Sequence, residues 1–228
     1  MAKQLFISFS GEGTTDYRFL VPIIKRTVDD VIFDCCDFDV EVDEISEIKI
    51  SKTGKSFSEY VIDATQKALE NGSQLLVIHT DSDKETYNER YQHKFIPAYQ
   101  ALKDNNTADI KAFEKELIPI IPIRMIEAWM LADPDLLKSE INTQLTNEEL
   151  KIIGNPESIA DPKAKISEAI RIAKEKETHR RKVSIDSIHS LYEIIGSKID
   201  LGKLKQLSAY NFFIEELKRA LKEIGYLH

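Results

Sequence analysis

With 228 residues, 42% hydrophobic and 31% charged, the chain has the make-up of a globular protein with its own core. That length suits one large domain or a domain with a substantial helical appendage. A formal net charge of −8 argues against a generic polyanion binder, so contact with nucleic acid needs clustered basic residues or a metal ion.

Leu5 to Phe9 is a short apolar run that stops at Ser10-Gly11-Glu12-Gly13, which predicts a strand running into a tight glycine turn. The N-terminus is too quickly interrupted for a signal peptide. No apolar run approaches the roughly 20 residues that span a bilayer. A cytoplasmic protein with no membrane contact is expected. Thr14, Thr15 and Asp16 read as capping residues, Asp16 as the N-cap, for a helix running to about Val28. Pro22 is expected near its first turn. Adjacent Cys35 and Cys36 match neither a zinc pattern nor CxxC and read as reduced thiols on or near a strand.

Phe38 to Val42 alternates as a strand with one solvated or edge face. Thr53-Gly54-Lys55-Ser56 has the look of the end of a phosphate-binding P-loop. The glycine required five residues before the Gly-Lys pair is Lys49 here, and no apolar strand runs directly in, so it reads as a polar loop capping the next helix. Ser56 to Asn71 predicts that amphipathic helix. Leu75 to Ile78 is a continuous apolar run of the kind buried on both faces of a parallel sheet, and it ends at His79-Thr80-Asp81-Ser82-Asp83.

A polar helical stretch over about Glu85 to Asp104 precedes Leu117 to Ile123, a strand whose prolines suit an edge position. Arg124 to Ala132 reads as a helix stopped near Asp133-Pro134. From Asp135 the pattern is helical throughout. Lys163 to Lys182 is a basic stretch interleaved with acids. Its densest part, His179-Arg180-Arg181-Lys182, is a candidate nucleic-acid contact, a solvated helix face being the plainer reading. Tyr210, Phe212 and Phe213 read as helix packing rather than a base-stacking platform.

Strands alternating with helices, then helices alone, predict a Rossmann-like, mostly parallel α/β sheet flanked by helices over residues 1–132 and a helical part over 133–228. Ligands of such sheets bind at the C-terminal ends of the strands, where Glu12 and the Asp81–Asp83 pair fall. Carboxylates two apart on extended chain share a side, so Asp81 and Asp83 would approach one cation, joined by Glu12 from the neighbouring strand. Three converging carboxylates repel unless a cation is present, and Mg2+ (or Mn2+) is the expected one. The plainer alternative makes Asp81 or Asp83 a cap of the next helix.

Gly11 to Leu20 resembles the glutamate motif of Toprim-type proteins, and His79 to Asp83 resembles their Asp-x-Asp motif. Toprim is a small Rossmann-like fold shared by topoisomerases, primases and nucleases of the overcoming-lysogenization-defect type. Ile121 to Asp133 is similar to a signature of the domain-of-unknown-function family 4276, a Toprim-like group, and Asp161-Pro162-Lys163 and Tyr210 to Phe213 fit it too. The resemblance spans nearly the whole chain. It implies a magnesium-dependent nuclease or phosphotransfer enzyme acting on DNA or RNA, with an ATPase partner in phage defence. Carried over by motif, Glu12 would be a general base or metal ligand, and Asp81 and Asp83 would hold the metal. Arg124 would neutralise a phosphate and Glu127, one helical turn on, would complete the metal or base set, unless the two form an internal pair. His79 reads as a satisfied strand-end histidine before a phosphate contact. The competing function is a non-catalytic Rossmann-like module that senses a nucleotide or a partner. A haloacid-dehalogenase-type phosphatase is disfavoured by Glu85 two residues after the second aspartate.

Overall fold

The structure, a computed structural model, describes residues 2–176, 185 and 187–227, so the basic run at His179–Lys182 lies outside the described residues. β1 (Lys3–Leu5) leads into β2 (Ile7–Ser10), which is buried at every position. α1 (Thr14–Cys35) follows. Its buried residues Phe19, Leu20, Ile23, Ile24, Thr27, Val28, Val31 and Ile32 keep helical spacing to the end. That stripe carries the helix past Val28, where the sequence reading stopped it, and places Cys35 and Cys36 at its C-terminus rather than on a strand. Pro22 lies in the helix interior, so no amide there reaches back to the Arg18 carbonyl.

β3 (Val40–Val42) pairs in parallel with β1, and β4 (Ser46–Glu47) pairs in parallel with β2. α2 (Phe57–Glu70) begins at Ser56, whose hydroxyl accepts from the Glu59 amide while the Glu59 carboxylate accepts from the Ser56 amide. β5 (Leu75–His79) is central in a parallel sheet of order β4-β2-β5-β6. α3 (Tyr87–Arg90), a π-helical turn at Tyr91–Phe95 and α4 (Ile96–Lys103) make up the polar helical stretch. α5 (Ala108–Ala112) then leads to β6 (Leu117–Ile120) at the sheet edge.

Pro119 costs this edge nothing. The Glu116 and Ile120 carbonyls accept from Leu76 and Thr80 of the β5 side, so the alternate residues Leu117 and Pro119 turn their backbone groups outward. The outward Leu117 carbonyl accepts from Tyr99 Oη at 3.1 Å and from Arg219 Nη2 at 2.8 Å.

Beyond the sheet come α6 (Glu127–Met130), α7 (Pro134–Ile141), α8 (Pro162–Lys176), α9 (Tyr192–Lys198), α10 (Leu201–Leu204) and α11 (Ser208–Glu223). The result is a mixed α/β fold with parallel sheets flanked by helices. β5 is buried on both sides: Leu75 and Val77 join a core with Phe19, Trp129, Tyr210 and Phe213, while Leu76 and Ile78 join another with Tyr60, Val61, Phe95 and Leu102. The first core runs from Leu5 to Tyr226, so the C-terminal helices share it with α1. Among the described residues no helix is long and apolar enough to cross a membrane.

α9 meets α1 at Gly196, where a Cβ would stand 2.4 Å from the Phe19 carbonyl oxygen. Gly196→Ala is therefore expected to destabilise the fold by roughly 1–3 kcal/mol through this backbone clash. An unhindered helical glycine would show the opposite sign, a gain of about 1 kcal/mol. A urea midpoint that rises in this variant would refute the close crossing.

Candidate functional site

β2 and β5 are neighbouring parallel strands, in register through Ser10↔Ile78, so their C-terminal exits stand side by side. After β2 the chain turns through Gly11, Glu12 and Gly13 into α1. Asp16 holds that turn: its Oδ2 accepts from the Glu12 amide at 2.6 Å and the Gly13 amide at 2.8 Å. Gly13, not Asp16, is the N-cap of α1, and Asp16 sits at its third helical position, reaching back. The turn needs glycine at position 11, where a Cβ would be 2.9 Å from Asp16 Cβ.

Glu12 is thereby pointed at Thr80, whose hydroxyl donates to Glu12 Oε1 at 2.9 Å, with Lys52 Nζ at 3.3 Å from the same oxygen. Burial opposes ionisation of Glu12, but Lys52, His79 and Thr80 together outweigh it and hold its pKa below the ordinary value.

The centre of the site is His79, 1% exposed at the end of β5. Its Nδ1 lies 3.3 Å from the Ile120 carbonyl, an acceptor only, so Nδ1 carries a proton. Its Nε2 faces Asp81 Oδ1 at 3.4 Å and Asp16 Oδ2 at 3.8 Å. His79 Nε2 and Asp81 Oδ1 are both buried and face each other, so the histidine is satisfied at Nδ1 and at Nε2 only when a proton sits between it and Asp81. Three lone-pair-bearing atoms face one another, and either a proton or a cation must lie among them. Asp81 carries the strain. Burial pushes its pKa up to about 7, His79 opposes this, and the charges of Glu12, Asp16 and Glu127 add to it.

Glu127, the first residue of α6, is 4% exposed and accepts a hydrogen bond from the Tyr192 hydroxyl at the start of α9. Lys163 Nζ is 3.9 Å away, from the first turn of α8. Burial first, then Glu127, push the Tyr192 phenol far above its ordinary pKa, so it remains a donor.

Asp83 and Arg124 take other places than the sequence suggested. The β5–β6 ladder continues past the strands: Thr80 N to Ile120 O, Ser82 N to Pro122 O and Asp83 N to Arg124 O, each 3.1 Å. The Arg124 amide donates to Ser82 Oγ at 2.9 Å. These bonds consume the Arg124 backbone groups in strand-like pairing, and Arg124 adopts a left-handed φ of 66°, so the helix starts at Glu127 instead of Arg124. The Arg124 guanidinium donates to the Asp83 carbonyl at 3.2 Å, and the Arg124–Glu127 pair expected at helical spacing is not formed. Asp83 has φ 56°, which breaks the extended run assumed for Asp81 and Asp83. Its carboxylate turns outward, 73% exposed, and pairs with Arg90.

Glu12 and Asp81 are thus brought together around His79, with Asp16 and Glu127 close by, while Asp83 and Arg124 belong to the rim. Among the described residues no group of three or more His, Cys, Asp or Glu side chains is arranged to hold a metal ion. Magnesium takes hard oxygen donors and completes its shell with water and substrate, needing only one or two carboxylates. The orphaned Asp81 oxygen, beside the ionised Glu12, meets that smaller requirement. Sequence reasoning missed Tyr192, Thr80, Lys52 and Arg90. Only Thr80 carried a local signal, being next to Asp81 at the strand exit.

No curated protein and no solved structure matches the chain. The family described as a domain of unknown function, DUF4276, matches residues 11–222, and the chain belongs to that family.

Proposed function

We propose that the protein is a divalent-cation-dependent phosphodiesterase or phosphotransfer enzyme of Toprim type acting on nucleic acid, with Glu12 and Asp81 as the cation's carboxylates. The observation that carries this reading is Asp81 Oδ1, 3.4 Å from His79 Nε2 and buried among further carboxylates at the C-terminal end of a central parallel strand. A bound magnesium or manganese ion would supply Lewis-acid polarisation of a phosphoryl oxygen. Thr80 and Lys52 keep Glu12 ionised and fixed, Asp16 fixes its backbone, and Tyr192 fixes Glu127 behind Asp81. An ATPase partner forms part of the proposal through the Toprim resemblance alone.

The expected result is saturable Mn2+ or Mg2+ binding by calorimetry that Glu12→Gln weakens at least about tenfold, with cation-dependent cutting of DNA or RNA lost in the same variant. Unchanged cation affinity in Glu12→Gln would remove the metal centre. Cation binding without cleavage of any nucleic acid, with or without an ATPase partner, would favour a sensing module.

A further inference from the structure

Glu12 and Thr80 also line a cleft of about 210 Å³ that extends from the carboxylate centre to the start of α2. Lys52, Lys55, Arg90 and Lys94 line it, with Glu12 and Asp83 as its only acids. Lys52, Lys55 and Arg90 are ion-paired with Glu12, with Asp63, and with Asp83 and Glu85, so the cleft's uncompensated positive charge among the described residues comes from Lys94, in a chain whose net charge is −8. We propose that this cleft is a phosphate-binding subsite, which seats a backbone or terminal phosphate of an oligonucleotide beside the carboxylate centre.

The cleft draws on two separate parts of the chain. Thr53-Gly54-Lys55-Ser56 is not a P-loop, yet Gly54 at φ +75° turns the chain so that the loop delivers Lys55 and the start of α2 to the cleft. From the opposite wall, α3 and the π-helical turn supply Arg90 and Lys94. Lys94 has no carboxylate partner among the described residues; its ammonium lies 5.9 Å over the Phe57 ring. Arg90 is 13% exposed, held by the Ser82 carbonyl at 3.1 Å and by Glu85 at 3.2 Å, with its outer face on the Asp83 carboxylate. Asp83 is 73% exposed and free to yield that guanidinium to a phosphate, for which the planar fork is well shaped. Lys52 bridges the cleft to Glu12, so a phosphate seated here adjoins the carboxylate centre.

This inference gives the proposed enzyme its substrate contact, but its test can fail independently. Binding of a short single-stranded oligonucleotide is followed by fluorescence anisotropy in EDTA, with and without a 5′-phosphate. Wild type is expected to bind in EDTA, because no cation is involved. The Lys55→Ala/Lys94→Ala double variant, which gives up the Lys55–Asp63 pair and the Lys94 contact over Phe57, should keep the wild-type urea midpoint and bind about tenfold more weakly, with a salt slope shallower by about 1.4. A gain from the 5′-phosphate identifies a terminal monoester as the occupant; equal binding identifies a backbone diester. Wild-type affinity and slope in the double variant overturn the subsite, as does absence of binding by the wild-type protein. Absence of cation binding in calorimetry, with this oligonucleotide binding intact in the wild type, would leave the subsite standing, whatever becomes of the metal centre.

Discussion

Asp81→Asn is expected to make the cation-free protein more stable at pH 8, although it removes a residue placed at the heart of the site. The sign follows from the direction of the shift. The carboxyl of Asp81 moves from an ordinary value of 3.8 in the unfolded chain up to about 7 in the fold. The folded state therefore holds a proton that the unfolded chain has released, and wild-type stability falls as pH rises from about 4 to about 7 through this group. Asparagine has no such loss. The advantage of the variant should be nil near pH 3, grow through that window and level off above it at roughly 1–3 kcal/mol, allowing for partial solvation of the side chain. Added magnesium or manganese should reverse the order, stabilising wild type by about 4.1 kcal/mol at roughly a thousandfold excess over the dissociation constant and leaving Asp81→Asn unmoved. Thermal melts at about pH 3, 5 and 8, each with EDTA and with cation, test both halves. A variant no more stable than wild type at pH 8 contradicts the crowded-carboxylate description; failure of the cation to reverse the order contradicts the metal.

Tyr192→Phe is expected to cost roughly 2–3 kcal/mol, a large effect for the loss of one oxygen, because a buried carboxylate loses its donor. Packing is spared, since the ring keeps its edge contact with Phe19 at 6.5 Å. What disappears is the hydrogen bond to Glu127, whose other partner, Lys163, stands 3.9 Å off on a half-exposed side chain. In a Glu127→Gln background the same Tyr192→Phe change should cost at least about 1 kcal/mol less, and that difference isolates the bond from any general loosening of α9. Denaturant midpoints for the two single variants and the double decide it. Equal costs in both backgrounds would mean that the phenol does not hold Glu127.

What the sequence made legible follows from where the physics is local. Leu75 to Ile78 announced a strand buried on both faces because nothing in it tolerates water, and the Pro119 argument for an edge held because a proline's missing donor is a local property. Ser56 with Glu59 wrote the start of α2 in a capping box. Asp83 and Arg124 were misplaced because their backbones adopt left-handed φ to serve each other across two strands, and a pairing 41 residues apart leaves no trace in neighbouring letters. Tyr192 was invisible for the same reason. Between Leu191 and Glu193 it reads as one more buried helix residue, and only the arrival of α6 gives its hydroxyl a task. The Thr53–Ser56 loop was rightly kept apart from P-loops, yet its lysine faces a cleft that only the fold assembles.

The outward face of β6 has a bearing on how the protein behaves at high concentration. Pro119 offers no donor along that edge, and the Leu117 carbonyl is already taken by Tyr99 and by Arg219 of α11. An incoming chain meets neither an amide at Pro119 nor a free acceptor at Leu117, two of the four backbone groups that Leu117 and Pro119 turn outward. On this side the sheet is guarded against the edge-to-edge stacking that begins aggregation, and loosening α11 is the step that would lift the guard.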